Sequence, residues 1–506
     1  MLDATRQDLT LGVVGTGLMG RGIAQIAVQG GVAVRLFDSR PGAAAEACDA
    51  IAQVLAKLAE KGKLVPEDAQ AAVERLRIAD RLEDLAGCDV VVEAIVEDLD
   101  AKRQLFRDLE QVVAEDCLLA TNTSSLSVTA IAAGCRVPER VAGFHFFSPV
   151  PLMKIVEVID GALSAPWAAE ALTALARRMG HTPVRAKDTP GFIVNHAGRA
   201  YLTESLRVLG EGIAEFPTVD AILREAAGFR MGPCELLDLT GLDVSHPVME
   251  SIYAQYYQEP RFRPSPITRQ RLAAGLLGRK SGRGFYQYVD GKAEPLPAPA
   301  VPEVTHTPVW VSTRDAVLHA RVLTLLAARG VPIDYAERPG DSSVCIVLPF
   351  GHDATTTALA EGLDPTRTVA LDPLYLDRRL TLMTTPVTTP AARDAAWAAL
   401  ANDSLPVSVI HDSPGFVAQR VVAMIVNTGC DIAQQRIATP EDIDCAVTLG
   451  LGYPKGPLAL GDALGAATVL TILERLHEFY RDPRYRPSPW LIRRARLGVS
   501  LLTPEN

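Results

Sequence analysis

One eight-residue motif occurs twice in the chain. Asp188-Thr-Pro-Gly-Phe-Ile-Val-Asn195 returns 224 residues later as Asp412-Ser-Pro-Gly-Phe-Val-Ala-Gln419. Gly232-Pro233 and Gly456-Pro457 keep that spacing, and Pro260-Arg-Phe-Arg-Pro-Ser-Pro266 returns as Pro483-Arg-Tyr-Arg-Pro-Ser-Pro489 at a spacing of 223. Three motifs in one order at a nearly constant offset imply two copies of one structural unit. The 506 residues therefore divide into paired domains, because a single core stops growing at about 250 to 300 residues.

Strand and helix patterns alternate ahead of the first copy. Leu9 to Val14 reads as a strand, followed by a helix to about Gln29, a strand at Val32 to Asp38 and an Ala-rich helix to about Lys61. Short buried strands are predicted at Val90 to Glu93, Leu118 to Asn122, Val141 to Phe147, Lys154 to Ile159 and Pro183 to Ala186. Together they predict a doubly wound parallel sheet. Beyond Asp188 the pattern is helical for roughly a hundred residues, and then Pro295, Pro297, Pro299, Pro302 and Pro308 mark an extended linker. Val309 to Ser312, a helix to Arg329 and Ile333 to Ala336 read as a second β-α-β start, whose turn Ser312-Thr-Arg-Asp315 has no glycine. The predicted fold class is an α/β Rossmann-like doubly wound domain plus an all-α domain, followed by a reduced Rossmann-like domain and a second all-α domain. The corresponding boundaries are 1–187, 188–290, a Pro-rich linker over 291–308, 309–408 and 409–506.

Charge and cysteine usage exclude several functions. The chain carries 50 Lys and Arg against 60 Asp and Glu, so it lacks the basic footprint of a nucleic-acid binder. No apolar stretch reaches the ~18 residues of a membrane span. The acidic start Met-Leu-Asp-Ala-Thr-Arg-Gln-Asp is unlike an export signal, so a cytoplasmic location is expected. Eight scattered cysteines form no Cys-x-x-Cys pair and no metal-ligand cluster; no metal is expected.

Gly15-Thr-Gly-Leu-Met-Gly20 follows a predicted strand and opens a predicted helix, and Asp38 ends the next strand. In that context Gly15 allows the tight turn, Gly17 lets a pyrophosphate approach the helix N-terminus, and Gly20 allows close packing of helix on strand. Asp38 would accept hydrogen bonds from a ribose and repel a 2′-phosphate, which favours NAD over NADP, although Arg40 lies near.

His145, in Gly143-Phe-His-Phe-Phe147, reads either as a buried structural residue or as a general base. Glu157, in Lys154-Ile-Val-Glu-Val-Ile159, alternates with apolar residues, so a buried carboxylate there needs a cationic or hydrogen-bonding partner. A His held by a carboxylate has a fixed tautomer and a stabilised imidazolium, as a base near neutral pH needs. Ser124 and Ser125, in Thr121-Asn-Thr-Ser-Ser-Leu126, read locally as helix caps. With Thr189 as N-cap and Pro190 in the first turn, Asn195 falls two turns into a helix, facing solvent or a cleft.

Gly15-x-Gly-x-Met-Gly20, Val91-Val-Glu-Ala-Ile-Val-Glu97, Asn122-Thr-Ser-Ser125, His145-Phe-Phe-Ser-Pro-Val-Pro151, Asp188-Thr-Pro-Gly-Phe192 and Gly278-Arg-Lys-Ser-Gly-Arg-Gly-Phe285 together resemble the NAD-dependent L-3-hydroxyacyl-CoA dehydrogenases. The resemblance covers residues 9 to 290. It implies that His145 is the base for the 3-hydroxyl proton, that Glu157 is its partner, and that Ser124 and Asn195 bind the substrate oxygen. It also implies NAD contacts at Leu18, Met19, Glu97, Lys102, Ser124, Ser148 and Lys280 besides the glycine loop and Asp38. Lys61 corresponds to a lysine that meets coenzyme A.

Ser148 departs from the family, which usually has Asn in that His-Phe-Phe motif. In the repeat, Gln419 replaces Asn195, and Leu371 to Leu382 contains neither the His nor the Glu. Only the first half is therefore expected to be catalytic, with the second helical copy packing against the first as an intramolecular pseudo-dimer; further homo-oligomerisation stays open. Chains with this duplicated layout resemble the 3-hydroxyadipyl-CoA dehydrogenases of bacterial phenylacetate breakdown. The alternatives are a short-chain 3-hydroxybutyryl-CoA dehydrogenase, a β-hydroxyacid dehydrogenase using a catalytic Lys, and a non-catalytic NAD-binding protein like the family's crystallin relatives.

Overall fold

The computed structural model describes residues 2–304, 307–402 and 404–505. Residues 305 and 306 of the expected linker lie outside the described residues. The chain divides into two compact units, residues 2–196 with 432–451, and residues 197–431 with 452–505.

The first unit holds an eight-stranded sheet among the described residues. Its strands are β1 (Thr10–Val14), β2 (Ala33–Phe37), β3 (Leu76–Ile78), β4 (Val90–Glu93), β5 (Leu118–Thr121), β6 (Val141–Phe146), β7 (Ile155–Asp160) and β8 (Thr182–Lys187), in the order β3-β2-β1-β4-β5-β6-β7-β8. The helices α1 (Leu18–Gln29), α2 (Ala43–Glu60), α3 (Pro66–Glu74), α4 (Leu99–Val112), α5 (Val128–Ala132) and α6 (Pro166–Arg178) connect them, and α7 (Val194–Gly210) follows β8. Side-chain alternation splits the central strands between two cores. Leu11, Val13, Val90, Val92, Leu118 and Ala120 face one, while Val14, Val91 and Leu119 face the other. A sheet covered on both faces needs these near-continuous apolar runs, which is why they are legible in the sequence.

The sheet departs from the sequence reading at two places. The sheet is not wholly parallel, because β6 and β7 pair antiparallel with His145 opposite Glu157. Only residues 147–154 join these strands, fewer than the dozen or so that a parallel crossover needs. β3 escapes the sequence reading because only Leu76 of its three residues is buried.

A hairpin of β9 (Tyr288–Val289) and β10 (Lys292–Ala293) opens the expected linker. The second sheet runs β11 (Val309–Val311), β12 (Val344–Val347), β13 (Thr368–Leu371), β14 (Leu380–Thr384) and β15 (Val407–Ile410), in that order, with β13 and β14 antiparallel and the other pairs parallel. The same sequence of orientations runs from β4 to β8. After β4 the N-cap Asp98 starts α4, and after β11 the N-cap Asp315 starts the helix Ala316–Ala327. Asp188 binds the first amides of α5, and Asp412 binds those of the helix Ala354–Ala360. The second sheet is thus a copy of β4 to β8. Ser312-Thr-Arg-Asp315 is not a glycine loop that lost its glycines, because among the described residues the β-α-β segment that carries the loop in the first copy has no counterpart. Ile333 makes one bridge to Val309 and forms no strand.

Each unit contains a reciprocal exchange between the copies. In the first, the Lys187 amide donates to the Ile437 carbonyl at 2.8 Å; in the second, His411, 224 residues on, donates to Ile213 at 2.9 Å. Within the second unit Arg420 and Glu204, both fully buried, pair at 2.8 Å, and the Tyr485 hydroxyl also donates to Glu204. Burial pushes the Glu204 carboxyl up, but Arg484, Arg420 and Tyr485 outweigh it and hold it below the ordinary carboxylate range. Glu204→Ala would leave buried Arg420 with Glu211 alone and take the carboxylate from buried Arg484, so it should cost about 3 to 5 kcal/mol in urea unfolding. A loss under about 1 kcal/mol, the scale of an exposed pair, would refute that reading.

Candidate active site

Glu157, buried in the middle of β7, uses both carboxylate oxygens. Oε2 lies 2.6 Å from Nδ1 of His145, and Oε1 accepts the backbone N–H groups of Ile193 and Val194, each at 2.9 Å. Those amides belong to the first turn of α7, where the helix dipole favours a negative charge. An ionised carboxylate only accepts, so this contact calls for a proton on Nδ1 of His145, and in the neutral ring Nε2 is then the lone-pair nitrogen. The His145 ring, 4% exposed, lies between Phe147 and Phe192, with centroid separations of 4.5 and 5.7 Å.

The turn before α7 explains how these amides reach Glu157. Gly191 has φ +77° and Phe192 φ +47°, left-handed values that cost a non-glycine residue free energy. Gly415 and Phe416 repeat the conformation in the second copy at φ +76° and +51°. This left-handed pair delays the start of α7 to Val194, so Asn195 lies in the first helical turn beside the Glu157 contact, not two turns in. On the other side, a Cβ on Gly450, from the second helical copy, would stand 2.9 Å from a Val194 methyl. Only glycine lets the helix Pro440–Leu451 approach Val194 this closely.

A second carboxylate organises the loop after β5. Glu97 Oε1 accepts from the Thr123 hydroxyl at 2.7 Å and from the Ser124 and Ser125 amides at 2.9 Å each. Its Oε2 lies 3.3 Å from the Lys102 ammonium. Burial opposes the charge, but Lys102 and these donors prevail and push the Glu97 carboxyl down to about 2. Lys102, 1% exposed, is held at 2.5 Å by Glu93, which also accepts from the Thr121 hydroxyl at 2.7 Å. Ser124 and Ser125 therefore do not cap α5; Ser127 does, accepting from the Ala130 amide. Glu93 and Asn122 were not singled out in the sequence. Asn122 accepts from the Phe146 amide at 2.9 Å, joining this loop to the strand of His145. The buried-carboxylate argument that selected Glu157 applies equally to Glu93 in its apolar run.

The glycine loop fits a dinucleotide. Gly15 has φ +93° and a Cβ there would meet the Ala94 carbonyl at 2.5 Å, while one on Gly20 would overlap the Gly15 carbonyl at 1.8 Å. Gly17 has no heavy atom within 4 Å of its Cβ position, and it starts α1 without a side-chain cap. Open space before uncapped helix amides suits a pyrophosphate. Leu18, next to it, is 62% exposed, and Met19 packs partly into the core. Asp38 accepts the Thr16 amide and hydroxyl at 2.8 Å each and the Arg40 amide at 2.9 Å. Burial is outweighed by these bonds, which hold Asp38 below the ordinary carboxylate range. Arg40 turns to Glu46, which binds it through two contacts of 3.1 and 2.6 Å.

The other expected positions are simpler. Lys61 is the exposed C-cap of α2, and Ser148 is exposed just beyond β6. Lys280 belongs to the second unit, where its ammonium pairs with Asp243 at 2.5 Å. Among the described residues no cluster of His, Cys, Asp or Glu could hold a metal, and no single helix is long and apolar enough to cross a membrane.

A dinucleotide loop joined to a carboxylate-held histidine defines a dehydrogenase. The chain belongs to the 3-hydroxyacyl-CoA dehydrogenase family: the NAD binding domain matches residues 10–189, and the C-terminal domain matches both 191–288 and 415–500. It is an NAD-dependent oxidoreductase of that family. It is 37% identical to the 3-hydroxyadipyl-CoA dehydrogenase of Escherichia coli K12, over 96% of this chain and 98% of that protein. A probable 3-hydroxybutyryl-CoA dehydrogenase of Deinococcus radiodurans is 41% identical over 55% of this chain and its own full length. The crystal structure of 3-hydroxybutyryl-CoA dehydrogenase from Escherichia coli K12 superimposes with a TM-score of 0.84 at 37% identity, covering 97% of this chain and 98% of that one.

Two outcomes test this geometry. Glu157→Gln keeps the size but cannot stabilise an imidazolium, so kcat should fall by about two to four orders of magnitude, the scale of a mis-set general base, with NAD affinity retained. Unchanged kcat would break the pairing argument. Glu97 contributes stability above its ordinary carboxylate range, and this is lost as pH falls from about 4.5 to about 2. Glu97→Gln should therefore flatten that limb of an acid-unfolding curve followed by circular dichroism; an unaltered limb would assign the acid sensitivity elsewhere.

Proposed function

We propose that this chain oxidises an L-3-hydroxyacyl-CoA at C3 with His145 as base, Glu157 as its partner, and Ser124 and Asn195 as hydrogen-bond donors to the substrate oxygen. The observation that carries this is the Glu157 contact to Nδ1, which leaves Nε2 of His145 as the free lone pair. NAD, when bound, supplies the acceptor for the C3 hydride. His145 takes the 3-hydroxyl proton at Nε2, and Glu157 stabilises the imidazolium that results. Glu97 accepts the Ser124 amide at 2.9 Å, which positions the residue, and the Ser124 hydroxyl, donating to Glu97 at 3.3 Å, turns its one O–H to the substrate oxygen.

Gly15, Gly17, Leu18, Met19, Gly20, Asp38, Glu97, Lys102, Ser148 and Lys280 are proposed to form or support the NAD site, and Lys61 to meet the coenzyme A phosphates. Lys102, being buried between Glu93 and Glu97, would act through Glu97. Engagement of Arg40 by Glu46 supports Asp38 as a ribose acceptor that disfavours a 2′-phosphate.

For the acyl group we propose 3-hydroxyadipyl-CoA, in phenylacetate breakdown in the cytoplasm, on the strength of the near full-length relative so named. The crystal structure named for 3-hydroxybutyryl-CoA spans nearly the same length and favours a short-chain reading instead. The domain boundaries at 187, 290, 308 and 408 belong to the same proposal, as does the intramolecular pseudo-dimer, supported by the Lys187 to Ile437 and His411 to Ile213 bonds. Steady-state kcat/KM with 3-hydroxyadipyl-CoA and 3-hydroxybutyryl-CoA separates the readings. The dicarboxylic substrate should win by about tenfold or more, one charged hydrogen bond's worth; a preference for hydroxybutyryl-CoA selects the second reading. His145→Gln should abolish NADH formation from both while leaving NAD binding intact. Undiminished turnover would sink the mechanism, and no turnover by the unaltered enzyme on either would favour a non-catalytic NAD-binding protein.

A further inference from the structure

The second sheet, stripped of the glycine-loop segment, still has a cleft at the carboxyl ends of β11 and β12, with a volume of ≈ 290 Å³. Ligands of parallel α/β sheets bind outside these strand ends, and in the first copy the corresponding ends of β4 and β5 carry Glu97 and Ser124. The residues at the catalytic positions lie outside this cleft, but one of them holds the loop beneath it. By strand register Thr381 stands for Glu157, since each pairs with residues 224 apart, Ser408 and Val184. Asp372, whose amide bonds to Thr381, takes the place of His145. Gln419, in the place of Asn195, donates to Asp372 at 2.8 Å and to the Pro349 carbonyl at 3.1 Å, and accepts from the Gly351 amide at 2.7 Å. It thereby clamps the Leu348-Pro-Phe-Gly351 loop that floors the cleft.

Gly351 then brings in a charge from another element. Its φ is +72°, and a Cβ there would meet the Ile472 backbone at 2.9 Å and the Arg475 side chain at 3.1 Å. The helix Ala466–Tyr480 approaches this loop closely enough to set Arg475 on the cleft wall, where Nη1 donates to the Phe350 carbonyl at 2.5 Å. Among the described residues no carboxylate lies within ion-pair distance of this half-buried guanidinium. The cleft's own acids are already engaged: Glu361 accepts from the Ser312 hydroxyl at 2.7 Å, and Asp315 caps its helix. Glu478 of the same helix acts on Arg475 only from beyond ion-pair distance, and a partly desolvated Arg hydrogen-bonded to a carbonyl is stabilised by an incoming anion. Leu318, Leu348 and Phe350 give the rest of the cleft an apolar surface, which suits hydrocarbon and not a bare inorganic anion.

We propose that this cleft binds a small hydrocarbon carboxylate, its carboxylate on Arg475 and its chain over Leu348 and Phe350, independently of the catalytic site of the first copy. The test is isothermal titration calorimetry of the full chain saturated with NAD, using hexanoate and its neutral isostere hexanamide. Hexanoate should bind saturably and about tenfold or more tighter than hexanamide. Binding should vanish in Arg475→Met and in Ala360→Trp, which fills the cleft from its exposed helix and keeps Arg475, while kcat and KM of the dehydrogenase stay unchanged. Absence of saturable hexanoate binding, equal binding of hexanamide, or persistence of binding in Ala360→Trp would each overturn the proposal.

Discussion

The carboxylate of Glu157 is the contact on which the catalytic geometry depends. One oxygen fixes the tautomer of His145 and the other accepts two amides at the start of α7. A buried, unpaired carboxylate would cost several kcal/mol, so the same group that holds His145 must also find donors, and the left-handed turn at Gly191 and Phe192 supplies them. The strain of Phe192 is thereby offset in the folded state. Asn195, one residue beyond Val194, is placed by the same turn.

Around that contact the structure is a chain of acid-held loops. Glu97 orders Thr123, Ser124 and Ser125, Asp188 holds the first amides of α5, and Asp38 holds Thr16 of the glycine loop. Each uses a carboxylate where backbone N–H groups would otherwise lack partners. The second copy keeps the part of this scheme that serves folding. Asp412 still binds helix amides and the Pro-Gly-Phe turn is still left-handed, whereas the positions of His145, Glu157 and Asn195 carry Asp372, Thr381 and Gln419. Its contribution to the first unit is physical: Ile437 hydrogen-bonds the edge strand β8, and Gly450 lies against Val194.

Much of this was legible in the sequence because buried strands must be apolar. The strand runs of the first sheet, the glycine loop and the Asp-x-Pro-Gly-Phe repeat all announce themselves through strict steric or solvation demands. The antiparallel turn between β6 and β7 did not, since strand direction follows from connection length and not from side-chain pattern. Nor did the onset of α7 at Val194, because Pro190 ordinarily opens a helix and only the left-handed Phe192 postpones it. The β-α-β pattern at Val309 suggested a degraded glycine loop, whereas the orientations of β11 to β15 identify a truncated copy of β4 to β8. Ser124 read as a cap because its real partner, Glu97, lies 27 residues away.

The proposed mechanism turns on which nitrogen of His145 carries the proton. Two-dimensional ¹H–¹⁵N NMR of histidine-labelled protein at neutral pH, with His145 assigned by the loss of its signals in His145→Gln, reads this directly. The geometry predicts a pyrrole-like Nδ1 and a pyridine-like Nε2, with that preference lost in Glu157→Gln. A His145 protonated on Nε2, or a tautomer indifferent to Glu157, would contradict it.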